Sequence, residues 1–300
     1  MSITDNVSLM RLLTKIHEDK GLDFTQYKES TLLRRINSRL HKYELSSFDD
    51  YIKVLEESPD EYNELINALT INVTEFFRNP ESFEAIKETI IPRVILSKHK
   101  KQHKIIRAWS CGCSSGDEPY SLAILFSERL GNAKGRFLLT IIGSDIDKNA
   151  LKEAEAMTYS RERVKAIDNK LLQKYFEKNE SDNFKLKNSV RSLVRLRRHD
   201  VIKDIPFMRC DVILCRNLLI YFNKELQEEI LLKFYQCLNP GGSLILGMVE
   251  SLIGPSINIF EHVNNRLRIY RRPEQDFGCG ENDIISQKEI DKIVNEMLDN

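Results

Sequence analysis

The chain has 300 residues, 41% of them hydrophobic and 30% charged, and its 45 Lys and Arg balance 45 Asp and Glu. At about 150 residues per domain, that length asks for one large domain and something smaller. Balanced charge excludes a global field toward nucleic acid or an anionic bilayer, so electrostatic recognition has to come from local patches. No run of about 18 apolar residues is available to span a membrane.

The first residues, MSITDNVSLMRLLTKIHEDKG, lack the basic, apolar and small-residue segments of a secretory signal, so the chain is expected to be cytoplasmic. The six cysteines, at 111, 113, 210, 215, 237 and 279, are then expected as reduced thiols, several of them small buried hydrophobes within strands.

Residues 1–70 read as helix throughout. Leu32, Ile36 and Leu40 keep helical spacing, as do Phe48, Tyr51, Ile52 and Leu55. Residues 71–83 form a junction, and the basic run SKHKKQHK (97–104) closes the helical part as a solvated connector. The pattern then alternates. IIRAWS, LLTIIGSDID, CDVILCRN, SLILGM and NRLRIYRR read as strands, with DEPYSLAILFSERL, KNALKEAEAM and KELQEEILLKFYQCL as helices among them. Such alternation predicts βαβ units and a doubly wound, mostly parallel sheet over 84–272, beside a small all-helical N-terminal domain. FKLKNSVRSLVRLRR (184–198) has two short β-like runs flanking Asn-Ser, which predicts a hairpin in a small inserted β-subdomain at about 178–198. Residues 273–300 read as a polar linker followed by a short amphipathic helix.

The first strand runs into CGCSSGDEPYS (111–121). A structural zinc site would need a second Cys or His pair, which no nearby sequence supplies, so no metal is expected. The run lacks the lysine of a P-loop and the G-x-G-x-x-G of a dinucleotide fold. In doubly wound sheets ligands bind beyond the carboxyl ends of strands, where glycine permits a tight turn. Asp117 and Glu118 at the start of the next helix disfavour a phosphate and suit a cationic ligand. S-adenosylmethionine, with its sulfonium and ammonium, is one such ligand. Asp145, at the end of the next strand, can accept from two ribose hydroxyls.

WSCGCSSGDEPYSLA (109–123), the GSDID behind it, CRNLLIYF (215–222), LNPGGSLILG (238–247) and NVTEFFRNPESF (72–83) together resemble the chemotaxis receptor glutamate methyltransferases, the CheR family. The motifs occur in order over residues 10–272. The resemblance implies an S-adenosylmethionine-dependent protein-glutamate O-methyltransferase that esterifies chemoreceptor glutamates. Related alternatives are methyl transfer to another acceptor and a catalytically idle adapter.

Carried over by position, the cofactor residues are Asn72, Thr74, Arg78, Glu118, Asp145, Asp200, Val201, Cys215, Arg216 and Asn217. The family usually has Asn where Asp200 stands, so the adenine contact there loses its amide donors. Arg78 and Tyr221 are expected to hold the substrate carboxylate. Lys28, Arg35, Arg39 and Lys42, opposite the apolar face of their helix, are expected to dock acidic receptor methylation helices. Residues 178–198 contain no glycine, so capture of a receptor-tail pentapeptide is not expected. Ser286 and Glu289 fit a capping box, and Ile285, Ile290, Ile293 and Met297 supply apolar anchors. The segment 284–297 also resembles the motif by which flagellar switch proteins bind the phosphorylated chemotaxis response regulator, which makes that regulator an expected partner.

Overall fold

A computed structural model of the protein describes residues 3–70 and 73–274. Asn72, Cys279 and the expected helix at 284–297 lie outside the described residues. The chain divides into two compact units, residues 1–72 with 220–227, and residues 73–219 with 228–300.

The first unit holds helices α1 (Ile3–Lys20), α2 (Glu29–Lys42), α3 (Phe48–Glu57) and α4 (Pro59–Thr70). Leu32, Ile36 and Leu40 are buried, as the periodicity of α2 requires. Ser47 starts α3 by accepting from the Asp49 and Asp50 amides at 3.1 and 3.4 Å. Among the described residues of this unit Glu61 is a buried charge, 2% exposed. Its carboxylate accepts from Arg39, from Tyr51 Oη at 2.6 Å and from Tyr43 Oη at 2.9 Å. Segment 220–227 joins the unit through Lys28 N, which donates to Tyr221 O at 2.8 Å, and through a bridge between Tyr27 and Phe222.

The second unit opens with α5 (Pro80–Ala85), a π-helical turn (Ile86–Ile90) and α6 (Ile91–Lys100). Then follow β1 (Ile105–Cys111), α7 (Asp117–Leu130), β2 (Leu138–Asp145), α8 (Lys148–Ala156), β3 (Thr158–Tyr159), α9 (Arg161–Val164), α10 (Asn169–Tyr175), β4 (Phe176–Lys178) and β5 (Phe184–Leu186). The series ends with α11 (Asn188–Arg191), β6 (Val194–Arg198), β7 (Cys210–Cys215), α12 (Lys224–Cys237, of which residues 228–237 belong to this unit), β8 (Leu238–Leu246), α13 (Ser256–Ile259), β9 (Glu261–Asn264) and β10 (Ile269–Arg271).

The main sheet has the order β6-β2-β1-β7-β8-β10-β9. Its β6 to β8 strands are parallel, and β10 and β9 are antiparallel. This is the doubly wound α/β architecture expected from the alternating pattern, with β7 buried throughout and β1 buried from Ala108 to its end.

The run 184–198 departs from expectation. β5 and β6 do not pair with each other. β5 joins β3 and β4 in a separate antiparallel sheet, and β6 forms the parallel edge of the main sheet beside β2. Asn188 and Ser189 begin the short helix α11, since Asn-Ser lacks the glycine that favours a two-residue hairpin turn. The inserted sheet therefore draws its strands from residues 158–186.

Candidate functional site

The chain runs from β1 outward to β2 and β6, then returns to the other side of β1 to form β7 and β8. In open α/β sheets ligands bind at such a reversal, beyond the carboxyl ends of the strands, here those of β1 and β7. Cys111 and Cys215 are paired in register at those ends. The CGCSSGDEPYS turn leaves β1 there, and the amides of Gly112 and Cys113 both donate to Ser144 O, at 2.8 and 2.9 Å. Gly116 precedes α7 at φ 87°. A Cβ on it would meet Tyr120 Cε2 at 2.8 Å and the Ala154 Cβ at 2.9 Å, so the glycine lets α7 start hard against α8.

Two acids frame the turn. Asp145, 9% exposed, ends β2. It accepts from Ser114 N at 2.7 Å on Oδ2 and from Asp147 N at 2.9 Å on Oδ1. A carboxylate offers about four lone-pair sites, so Asp145 can take further donors. Burial pushes its carboxyl above the ordinary range, against the pull of those amides. Glu118, on the first turn of α7, accepts from Ser110 Oγ at 2.8 Å and from Arg216 Nη1 at 3.2 Å. Burial raises its carboxyl too, opposed by the Arg216 charge. An arginine just after β7 therefore already balances the Glu118 carboxylate.

Arg216 is a brace as much as a wall. Its Nη2 donates to Arg78 O at 2.8 Å and Asn79 Oδ1 at 2.6 Å, which fixes the segment before α5. Its Nε is buried without a hydrogen-bond partner, as are those of Arg35 and Arg93. In the same segment Thr74 and Arg78 are half-buried, and Arg78 Nη1 donates to Val73 O at 3.0 Å. Cys215 is fully buried, and its thiol is pushed well up by burial and then by the Cys111 thiol.

Asn217 is half-buried, with its backbone in the left-handed region at φ 61°. It is held there by Glu250, which sequence reasoning missed. Glu250, 4% exposed, accepts from the amides of Asn217 (2.8 Å), Leu219 (2.8 Å) and Gly247 (2.6 Å). Nothing in the run MVES marks it, since the partners are backbone groups 31 to 33 residues earlier and three residues earlier.

Asp200 and Val201, both half-buried, follow β6. Asp200 Oδ1 accepts from Ile202 N at 2.9 Å, so one oxygen serves its own turn. Among the described residues, no cluster of three or more His, Cys, Asp or Glu side chains suits a metal ion.

The remaining expected residues lie in the first unit. Tyr221 is half-buried, with the Arg35 guanidinium 5.4 Å from its ring centre. The basic face of α2 is only partly free. Arg35 Nη1 donates to Ala68 O at 2.6 Å at the end of α4, and Arg39 is committed to buried Glu61. Lys28 and Lys42 are exposed.

The strand-end residues of the second unit fit an S-adenosylmethionine-type ligand. Asp145 can take the ribose hydroxyls, and the Glu118–Arg216 pair can meet the methionyl ammonium and carboxylate. Residues 72–269 match the family model "CheR methyltransferase, SAM binding domain", and residues 8–70 match "CheR methyltransferase, all-alpha domain".

Curated relatives called chemotaxis protein methyltransferase are similar along most of the chain. The protein of Listeria innocua is 34% identical over 251 residues, covering 83% of this chain and 92% of its own. That of Salmonella typhimurium is 33% identical, covering 80% and 82%, and that of Escherichia coli 30% identical, covering 86% of each. Among solved structures, a putative O-methyltransferase from Nostoc punctiforme is 15% identical over 56% of this chain and 40% of that one, at a TM-score of 0.31, a likeness on which nothing rests. The chain belongs to the CheR methyltransferase family, with an S-adenosylmethionine-binding catalytic domain and the family's all-helical domain before it.

Proposed function

We propose that this chemotaxis methyltransferase esterifies glutamate side chains of chemoreceptors, forming glutamate 5-O-methyl esters, in the cytoplasm. The observation that carries the reading is the strand-end cluster of Asp145, Glu118 and Arg216 in a chain of this family. S-adenosylmethionine, when bound, supplies an electrophilic methyl group.

Asp145 holds the ribose, Asp200 and Val201 border the adenine, and Glu118, Arg216 and Asn217 receive the methionyl end. Thr74 and Cys215 complete the lining, and Asn72 is assigned to the cofactor by its position in the family motif alone. By their positions in the family motifs, Arg78 is assigned a charge-assisted contact to the acceptor carboxylate and Tyr221 a phenolic hydrogen bond to it. A glutamate side chain is ionised at neutral pH, with an ordinary pKa of about 4.3, so the chemistry needs alignment and partial desolvation and no general base.

Lys28 and Lys42 are the basic-face residues available to the acidic receptor helix, because Arg35 and Arg39 already serve the first unit. The segment 284–297 recruits the phosphorylated response regulator, and a pull-down with and without residues 280–300 tests it, since equal recovery would end the idea. The inserted sheet does not capture a receptor-tail pentapeptide, and micromolar binding by calorimetry would overturn that.

The central test is transfer of labelled methyl from S-adenosylmethionine to receptor-bearing membranes. The expected product is protein-bound and base-labile. Label found only on nucleic acid or small molecules would refute the reading, and no transfer in the presence of bound cofactor would point to an idle adapter.

A further inference from the structure

The first acid of the DEPYS run has a partner from a distant part of the chain. Asp117 has no exposed side-chain surface. It is bound by Arg163 of α9, 46 residues downstream, in the stretch that carries the inserted sheet. Arg163 Nε donates to Asp117 Oδ1 at 3.3 Å, and Nη2 reaches both Asp117 Oδ2 and Ser115 Oγ, the latter at 2.6 Å.

The guanidinium also stacks on Tyr159, 4.8 Å from the ring centre, and Tyr159 Oη donates to Ser115 O at 3.4 Å. The fork therefore closes over residues 115 and 117, on either side of Gly116. That glycine sits at φ 87°, where a backbone without Cβ is least constrained. The neighbours of this clamp are the cofactor-facing groups: Ser114, whose amide binds Asp145, and Glu118, which pairs with Arg216.

We infer that Arg163 is a positioning residue for the S-adenosylmethionine site. From the inserted segment it locks the Ser115–Asp117 turn, so that Asp145, held by Ser114 N, and the Glu118 carboxylate are presented to the cofactor in one fixed arrangement. Asp117 acts through Arg163 and the turn, and touches no ligand itself. A fork and a stacking face are both needed, so lysine fills the role only in part. The inference rests on the cofactor reading of the strand ends.

The test is calorimetric binding of S-adenosylhomocysteine to the full chain, for wild type, Arg163→Lys and Arg163→Met, beside KM and kcat for S-adenosylmethionine. Arg163→Met is expected to weaken product binding and raise KM by about tenfold, the scale of one lost charge-assisted hydrogen bond. The value of kcat should hold, and Arg163→Lys should recover part of the affinity. A clamp that serves the fold alone would lower the melting temperature and leave Kd and KM of the folded protein unchanged. That result, in either variant, overturns the proposal. Wild-type protein that fails to bind S-adenosylhomocysteine would refute the cofactor reading itself, and this proposal with it.

Discussion

Arg216→Met removes a guanidinium whose side chain is 2% exposed, and with it the cation facing Glu118 at 3.2 Å. Three interactions go together: the ion pair and the donations to Arg78 O and Asn79 Oδ1. Glu118 is left with Ser110 Oγ, at 2.8 Å, as its remaining side-chain donor among the described residues, in a place where burial already raises its carboxyl. Breaking one side of a buried pair costs about 3–5 kcal/mol, whereas replacing both partners by neutral groups of similar volume costs far less. The double variant Arg216→Met/Glu118→Gln should therefore recover about 2 kcal/mol of the single variant's loss.

Trp109 is the chain's one tryptophan and is fully buried in β1. Its fluorescence during urea unfolding reports the unit that holds the pair. The pH sets a second check. With its cation gone, Glu118 has a folded pKa displaced further above its unfolded value of about 4.5. Stability tied to such a raised group is present below the unfolded value and lost as pH rises through the folded one. The deficit of Arg216→Met should accordingly shrink as pH falls from neutral toward 4.5. A single-variant loss below about 1 kcal/mol, or a double variant as costly as the sum of the singles, would refute the buried-pair account.

Glu250→Gln replaces a carboxylate that accepts three amides with a group whose NH2 must face one of them; a loss of about 2–4 kcal/mol in the same unfolding assay is expected, with slower methyl transfer. Gly116→Ala puts a Cβ 2.8 Å from Tyr120 and 2.9 Å from Ala154 at φ 87°, and should cost about 1–3 kcal/mol by thermal or urea unfolding. Charge reversal at exposed Lys28 and Lys42 should slow transfer to receptor membranes in a salt-sensitive way and leave S-adenosylhomocysteine affinity unchanged.

The elements that position the site were readable because each carries its own period and punctuation. β1 leads into a glycine turn, α7 begins at Asp117, and Asp145 closes β2. The identity of the partners was not readable. Arg216 and Glu118 stand 98 residues apart, and no local pattern joins them. Arg39 looked like a surface cation because helical spacing placed it opposite Leu32, Ile36 and Leu40, yet a carboxylate 22 residues later turns it inward. The β6 run had strand character, but alternation says that a segment is a strand and says nothing of which sheet takes it. β3 spans two residues, too few to show any period.

The π-helical turn at Ile86–Ile90 has a consequence for length variation. A residue deleted from an ordinary helix swings everything after it by about 100°, since a turn takes 3.6 residues. A π turn already holds a surplus residue. Deleting one of the exposed or half-buried positions there, such as Lys87 or Glu88, would leave Phe83 before it and Ile91, Val94 and Ile95 after it still aimed at the core. This turn is the part of the α5–α6 helix where the chain can shorten by one residue and keep its phase.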